Sequence, residues 1–299
     1  MNEYKNHPLY KKHNMDSAMG SAWDFYKTNF LSLFVVSLVM SLILQYATTM
    51  VNMQEIQEMS DITAIIEKMK EMIVPVLIIS LASMLFTTIL QHYIIYKPIN
   101  SGYSILDSLL NSLKYFFPFL IIMILLSFFG AIALVAGVIA LIIGALFAIV
   151  YIMLLYLFIL PLLMIEGPNI GNTITRTFTL AHKNFWSNIG MVAVFLIILI
   201  VISIVFSALI MIPFSGNMIK SIIDPANAVK PDYSVNPLFI ILSSMVNALT
   251  LPLMPIFACI MYFNARAGED EIMNMPQEPT EYRPSIEDLY SRPKDDVDK

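Results

Sequence analysis

From Tyr115 to Ile165 the chain runs for 51 residues without an Asp, Glu, Lys, Arg or His. One charged side chain at the centre of a bilayer costs about 2.5–3.5 kcal/mol on insertion scales, so a run this clean is what repeated crossing of a membrane demands. As one straight helix it would extend about 75 Å, against a hydrocarbon layer of roughly 30 Å. It must fold back once and give two spans. The rest of the chain agrees, with 58% of its 299 residues apolar and 13% charged, where soluble domains carry about 25% charged residues. Apolar segments long enough to cross recur at roughly 30–51, 73–95, 116–136, 141–165, 186–212 and 237–263. The expected fold is an all-α integral membrane protein with six transmembrane helices.

Lysine and arginine orient the spans. With the N-terminus inside, the inner segments hold nine bases: Lys5, Lys11, Lys12, Lys27, Lys97, Lys114, Arg176, Lys183 and Arg266. The outer segments hold four: Lys68, Lys70, Lys220 and Lys230. Both termini are therefore expected in the cytoplasm, with the spans in a cell membrane, the inner membrane of a prokaryote being the expected setting. No cleavable signal is expected, because the first apolar run begins only near Phe30 and is too long for a signal core.

Three inner segments resemble one another. Ser17, Ser104 and Thr173 stand ten residues before Lys27, Lys114 and Lys183, and Ser21, Ser108 and Thr177 stand six before. An aromatic follows each lysine within three residues: Phe30, Tyr115 to Phe117, and Phe185 with Trp186. Hydroxyls four apart share a helix face, and Lys beside aromatics suits the headgroup boundary. The spans are thus expected as three repeated units, each an amphipathic lead-in followed by a helical hairpin.

The expected organisation is a polar N-terminal lead over 1–15, a six-span domain over 16–268 and a disordered acidic tail over 269–299. The net charge of −5 comes from that tail, which holds ten acids and four bases. Outside, residues 55–72 place Ile56, Met59, Ile62, Ile66 and Met69 at helical spacing, as an amphipathic helix resting on the outer surface or on the bundle. The segment 213–236, with Pro213, Pro225 and Pro231, reads as an irregular cap.

Little chemistry is on offer. No nucleophile elbow, nucleotide fingerprint or metal-ligand spacing occurs, and Cys259 stands alone inside a span. No catalytic, cofactor or metal residues are therefore assigned, and an enzyme is not expected. Lys27, Lys114, Arg176 and Lys183 are the candidate headgroup contacts. Glu166 ends the fourth span, and His182 beside Lys183 reads as a solvated neighbour. Candidate polar groups within the membrane are Gln91 and His92, closing the second span, and Asn247 and Thr250 in the sixth. Asn247 lies ahead of Pro252 and Pro255, so the segment either opens a backbone carbonyl to a substrate, as broken helices do, or bends while Asn247 bonds a neighbouring helix. Small residues Gly130, Ala133, Gly137, Ala140, Gly144 and Ala148 form a stripe across the expected turn. Either the turn lies early or two paired helices share the stripe. Membrane lipids and other membrane proteins are the expected partners, and nucleic acid is not, since the bases are few and scattered.

Three segments carry a family likeness: Leu160-Pro-Leu-Leu-Met-Ile-Glu166, the lead-in Thr173 to Trp186, and Met261-Tyr-Phe-Asn-Ala-Arg-Ala-Gly-Glu269. Over about residues 16–270 the chain resembles the membrane domain attached to some glycerophosphodiester phosphodiesterases, and related multi-pass families of unknown function. The resemblance implies the membrane architecture and a loose link to lipids. The phosphodiesterase activity of that family belongs to a separate soluble barrel with its own His and metal-binding carboxylates, which has no counterpart in these residues. The expected function is an accessory or organising membrane component, with a transporter or channel for a lipid-like or small neutral substrate as the alternative.

Overall fold

A computed structural model describes residues 2–51, 56, 59–100, 102–139, 142–216 and 235–274. Among them are nine α-helices and no strand: α1 (Met15–Thr28), α2 (Phe30–Thr48), α3 (Ile62–Tyr96), α4 (Ile105–Ile139), α5 (Ile142–Ile165), α6 (Ile170–Lys183), α7 (Phe185–Met211), α8 (Pro237–Thr250) and α9 (Leu253–Asn274). Six stretches are long and apolar enough to cross a membrane: α2, α3, α4, α5, α7 with the turn after it, and α8 with α9. The chain is a multi-pass membrane protein.

Whether a lead-in separates from its span depends on one residue type. At Asn29 and Asn184 the backbone leaves helical geometry and divides α1 from α2 and α6 from α7. Asn29 also turns its side-chain amide back onto the Phe25 carbonyl at 2.9 Å. Short polar side chains compete with the helix for backbone groups in this way. The middle unit reads Lys114-Tyr-Phe-Phe with no Asn, and α4 continues unbroken for 35 residues through Pro118.

The outer expectations change. Residues 62–72 do not form a separate surface helix but the first three turns of α3. Asp61 caps them, its carboxylate accepting from the Thr63 and Ala64 amides at 3.1 and 3.4 Å, and nothing between there and Tyr96 stops the helix. Ile62, Ile66 and Met69 point outward rather than onto the bundle. Most of the expected proline-rich cap, 217–234, lies outside the described residues.

The small-residue stripe is shared by two paired helices. α4 ends at Ile139 and α5 starts at Ile142. At Gly137 a β-carbon would lie 2.8 Å from the Gly144 carbonyl and the Ala145 amide. Only glycine allows the two backbones this approach.

The core sits where α3, α5 and α9 pack pairwise. Residues 89–95, most of 154–164 and 256–263 are buried nearly all round, as a helix enclosed by others should be. The outer helices bury one face each. The flanking segments are less detached than their composition implies. Residues 2–13 fold over one end of the bundle with His7 and Leu9 buried. α9 continues to Asn274, so 269–274 belong to the folded domain and not to a tail. The rest of the expected tail, 275–299, lies outside the described residues.

Candidate functional site

Both folded ends of the chain meet at the end of the bundle where α5 stops. Gly167 takes a positive φ of 109°, which reverses the chain there. Asn169 then caps α6, its side chain accepting from the Asn172 amide at 2.9 Å. The reversal lays α6 back along α5 and brings Arg176 over Glu166. Arg176 donates to Glu166 through Nε at 3.1 Å and Nη2 at 3.3 Å. It also donates to Glu269 of α9, through Nη1 at 3.2 Å and Nη2 at 2.9 Å. Arg266 donates to Glu269 at 2.7 Å and lies 3.9 Å from Glu166. The Tyr262 hydroxyl donates to Glu166 at 3.2 Å, and Lys183 approaches Glu269 at 3.8 Å.

Two guanidiniums and two carboxylates thus close on each other, in a setting where both carboxylates are largely shielded from solvent. Bonding to Glu269, and next to Glu166, holds the Arg176 pKa above its ordinary value. Such planar, two-pronged pairing is what arginine does and lysine does not. The next two acids of α9 tie down the N-terminal segment. Asp270 accepts from Lys5 at 2.7 Å and from the Tyr10 hydroxyl at 2.8 Å, and Glu271 from Lys12 at 2.7 Å. The Asn264 side chain accepts from the His13 amide at 2.8 Å. Inside this clasp His7 receives the Leu9 amide on Nδ1 and so donates from Nε2 to the Ile94 carbonyl at 3.1 Å. Burial pushes its pKa down to about 4.

The four expected headgroup contacts divide. Lys27 and Lys114 stand exposed, Lys27 3.0 Å from Asp24 and near the Trp23 ring, Lys114 4.9 Å from the Tyr115 ring. Arg176 turns inward to carboxylates, while Lys183 stays exposed with its ammonium 3.8 Å from Glu269. Arg176, expected to meet lipid, directs Nε, Nη1 and Nη2 to Glu166 and Glu269 within the fold. His182 stacks at 11° on Phe185 and keeps Nδ1 2.8 Å from the Phe178 carbonyl.

The intramembrane candidates lie apart. Gln91 is buried and donates to the Pro255 carbonyl at 3.2 Å and to the Cys259 sulfur at 2.9 Å. His92 stacks on Tyr96 at 4.3 Å, with Tyr103 and Tyr115 alongside. The sixth span does break, at Leu251 and Pro252. Asn247, however, is exposed, and its side chain bonds no neighbouring helix among the described residues. Instead the Tyr26 hydroxyl of α1 donates to the Leu249 carbonyl at 3.0 Å, while Gln91 takes that of Pro255. Thr250 bonds back within its own helix, to the Val246 and Asn247 carbonyls.

Glu269, Arg266 and Tyr262 escaped the sequence reading because Glu269 lies 93 residues from Arg176. A carboxylate ending one apolar span and an Arg-x-x-Glu ending another were the available signal. No family model matches the chain, and no curated protein and no solved structure matches it.

Proposed function

We propose that this chain is a non-enzymatic integral membrane protein that organises or assists other membrane components in contact with lipid. The observation that carries this reading is the closed charge network. Glu166 and Glu269 are each held by arginine, an arrangement that satisfies both carboxylates within the fold. It ties α5, α6 and α9 into one rigid end. The segments that resemble the phosphodiesterase-linked membrane domain supply its members, which favours a likeness of architecture. In this reading the network faces the cytoplasm of a prokaryotic cell, as the nine-to-four split of bases argues.

The three-unit plan belongs to the same proposal, and the order of packing supports it. The first spans α2, α4 and α7 pack on α8, α3 and α5, each the second span of the preceding unit taken cyclically. The separate lead-ins α1 and α6 pack likewise on α9 and α5. The experiment is purification of the full chain in mild detergent, followed by identification of bound lipid and protein and by flux assays in proteoliposomes. A reproducible bound component without substrate-dependent flux is expected. Saturable flux of a lipid-like or small neutral solute would replace this reading by the transporter alternative, which the broken sixth span favours.

A further inference from the structure

One cavity lies away from the charged end. It is a groove of about 480 Å³ between α4, α5 and α6, walled by Phe129 and Gly130, Tyr151 and Ile152, and Thr177 and Phe178. Phe129 and Phe178 are 63% and 45% exposed at its rim. The absence of a side chain at Gly130 helps open it, since a β-carbon there would already come within 3.3 Å of Ile152. Two of its walls are helices apolar enough to cross a membrane, so the medium at its open side is hydrocarbon. Ligand sites of a few hundred Å³ pair such an apolar lining with a few placed polar groups.

Here the polar group is Thr177. Its residue is only 4% exposed, and its hydroxyl has no hydrogen-bond partner among the described residues. Thr175 and Thr179 on the same helix bond the carbonyls four residues back at 3.0 and 2.9 Å, so the geometry for self-satisfaction is available on α6. Leaving a buried donor unmade is costly, and more so where no water competes. A dry groove that opens on acyl chains, with one unanswered donor buried in its wall, is matched by an acyl chain that ends in an acceptor toward which that hydroxyl can turn.

We propose that this groove seats one acyl chain of a membrane glycerolipid, with the Thr177 hydroxyl donating to the lipid's ester carbonyl. The inference rests on the membrane reading above and not on the choice between organiser and transporter. It gives the lipid contact a place distinct from the basic residues, of which Arg176 turns to Glu166 and Glu269.

The test uses the full chain in phosphatidylcholine–phosphatidylglycerol vesicles with a trace of phospholipid bearing a diazirine on one acyl chain. Crosslinks should concentrate on the groove residues of α4, α5 and α6 rather than spread around the bundle. Ala133→Trp, which fills the groove, should abolish that concentration while labelling elsewhere persists. Thr177→Val keeps the shape and should lower groove labelling about fivefold, the equivalent of one net hydrogen bond, and Thr177→Ser should restore it. An ether-linked probe without the ester carbonyl should behave on the unaltered protein as the ester probe does on Thr177→Val. Uniform labelling, or equal capture of ester and ether probes, would overturn the proposal. Solute flux in the same vesicles would remove the organiser reading and leave this one standing.

Discussion

Arg176 shows how a residue's role follows from its partners rather than its type. On the sequence it stands seven residues from Lys183 on a polar helix face; in the fold it is the hub between Glu166 and Glu269. Removing one member of a shielded pair leaves the other charge uncompensated, at about 3–5 kcal/mol when fully buried and less here, where the guanidinium is partly exposed. Arg176→Gln should therefore destabilise the protein by about 2 kcal/mol. Arg176→Lys should recover only part of that loss, for want of the fork. Thermal unfolding in detergent measures both. His7 gives a pH dependence whose sign is fixed. Its neutral form is the bound one, because Nδ1 must accept from Leu9. Its folded pKa is about 4 against an ordinary 6.5. Its contribution is therefore complete above pH 6.5 and is lost as pH falls toward 4, a total of about 3 kcal/mol. His13, also lowered by burial, acts in the same direction. His7→Phe should flatten the stability profile in this window, as followed by detergent-phase unfolding between pH 7 and 5.

Among the elements, the existence and class of the spans were legible, and α2 and α7 begin close to the expected 30 and 186, whereas α3 begins at Ile62 and not near 73. Asn29 and Asn184 divide lead-in from span, and Asp61 starts α3, all short-range effects. The turn between α4 and α5 was not legible, because a stripe of small residues reads the same on one helix or across two. Gly137 decides it through contact with Gly144. Gly137→Ala should cost about 1–3 kcal/mol by forcing the pair apart. Gly20→Ala, in α1 with nothing within 4 Å of the new carbon, should be neutral or stabilise by about 0.5–1 kcal/mol. The contrast in melting temperature between the two variants is the measurement. The hydroxyl pattern of the lead-ins was only partly a packing signal. Thr173, Thr177 and Ser108 are buried, but Ser104 is exposed and α1 turns Ala18 and Ala22 inward in place of Ser17 and Ser21.

For the whole molecule, the contacts of residues 5–13 with 264–271 put both folded ends of the chain at one end of the bundle. Reporters fused after Lys70 and after Arg266 should consequently read opposite sides of the membrane. The same reading at both positions would mean that the 115–165 run does not form a hairpin. Truncation separates tail from domain. Ending the chain after Asn274 removes none of the described contacts and should leave a folded, detergent-stable protein by size-exclusion chromatography. Ending it after Ala265 removes Arg266, Glu269, Asp270 and Glu271 together, and should release both α6 and the N-terminal segment.

The sequence by itself determined the class and the number of spans. Insertion free energy is summed over about twenty neighbouring residues, so it can be read from a short window. Only the tertiary structure decided that Glu269 answers Arg176, that Tyr26 answers the carbonyl freed at the broken sixth span, and that Thr177 answers nothing among the described residues. Those outcomes depend on which spans become neighbours. Hydrogen bonds and ion pairs between helices have no period along the chain, because their partners lie wherever the packing of the whole bundle brings them.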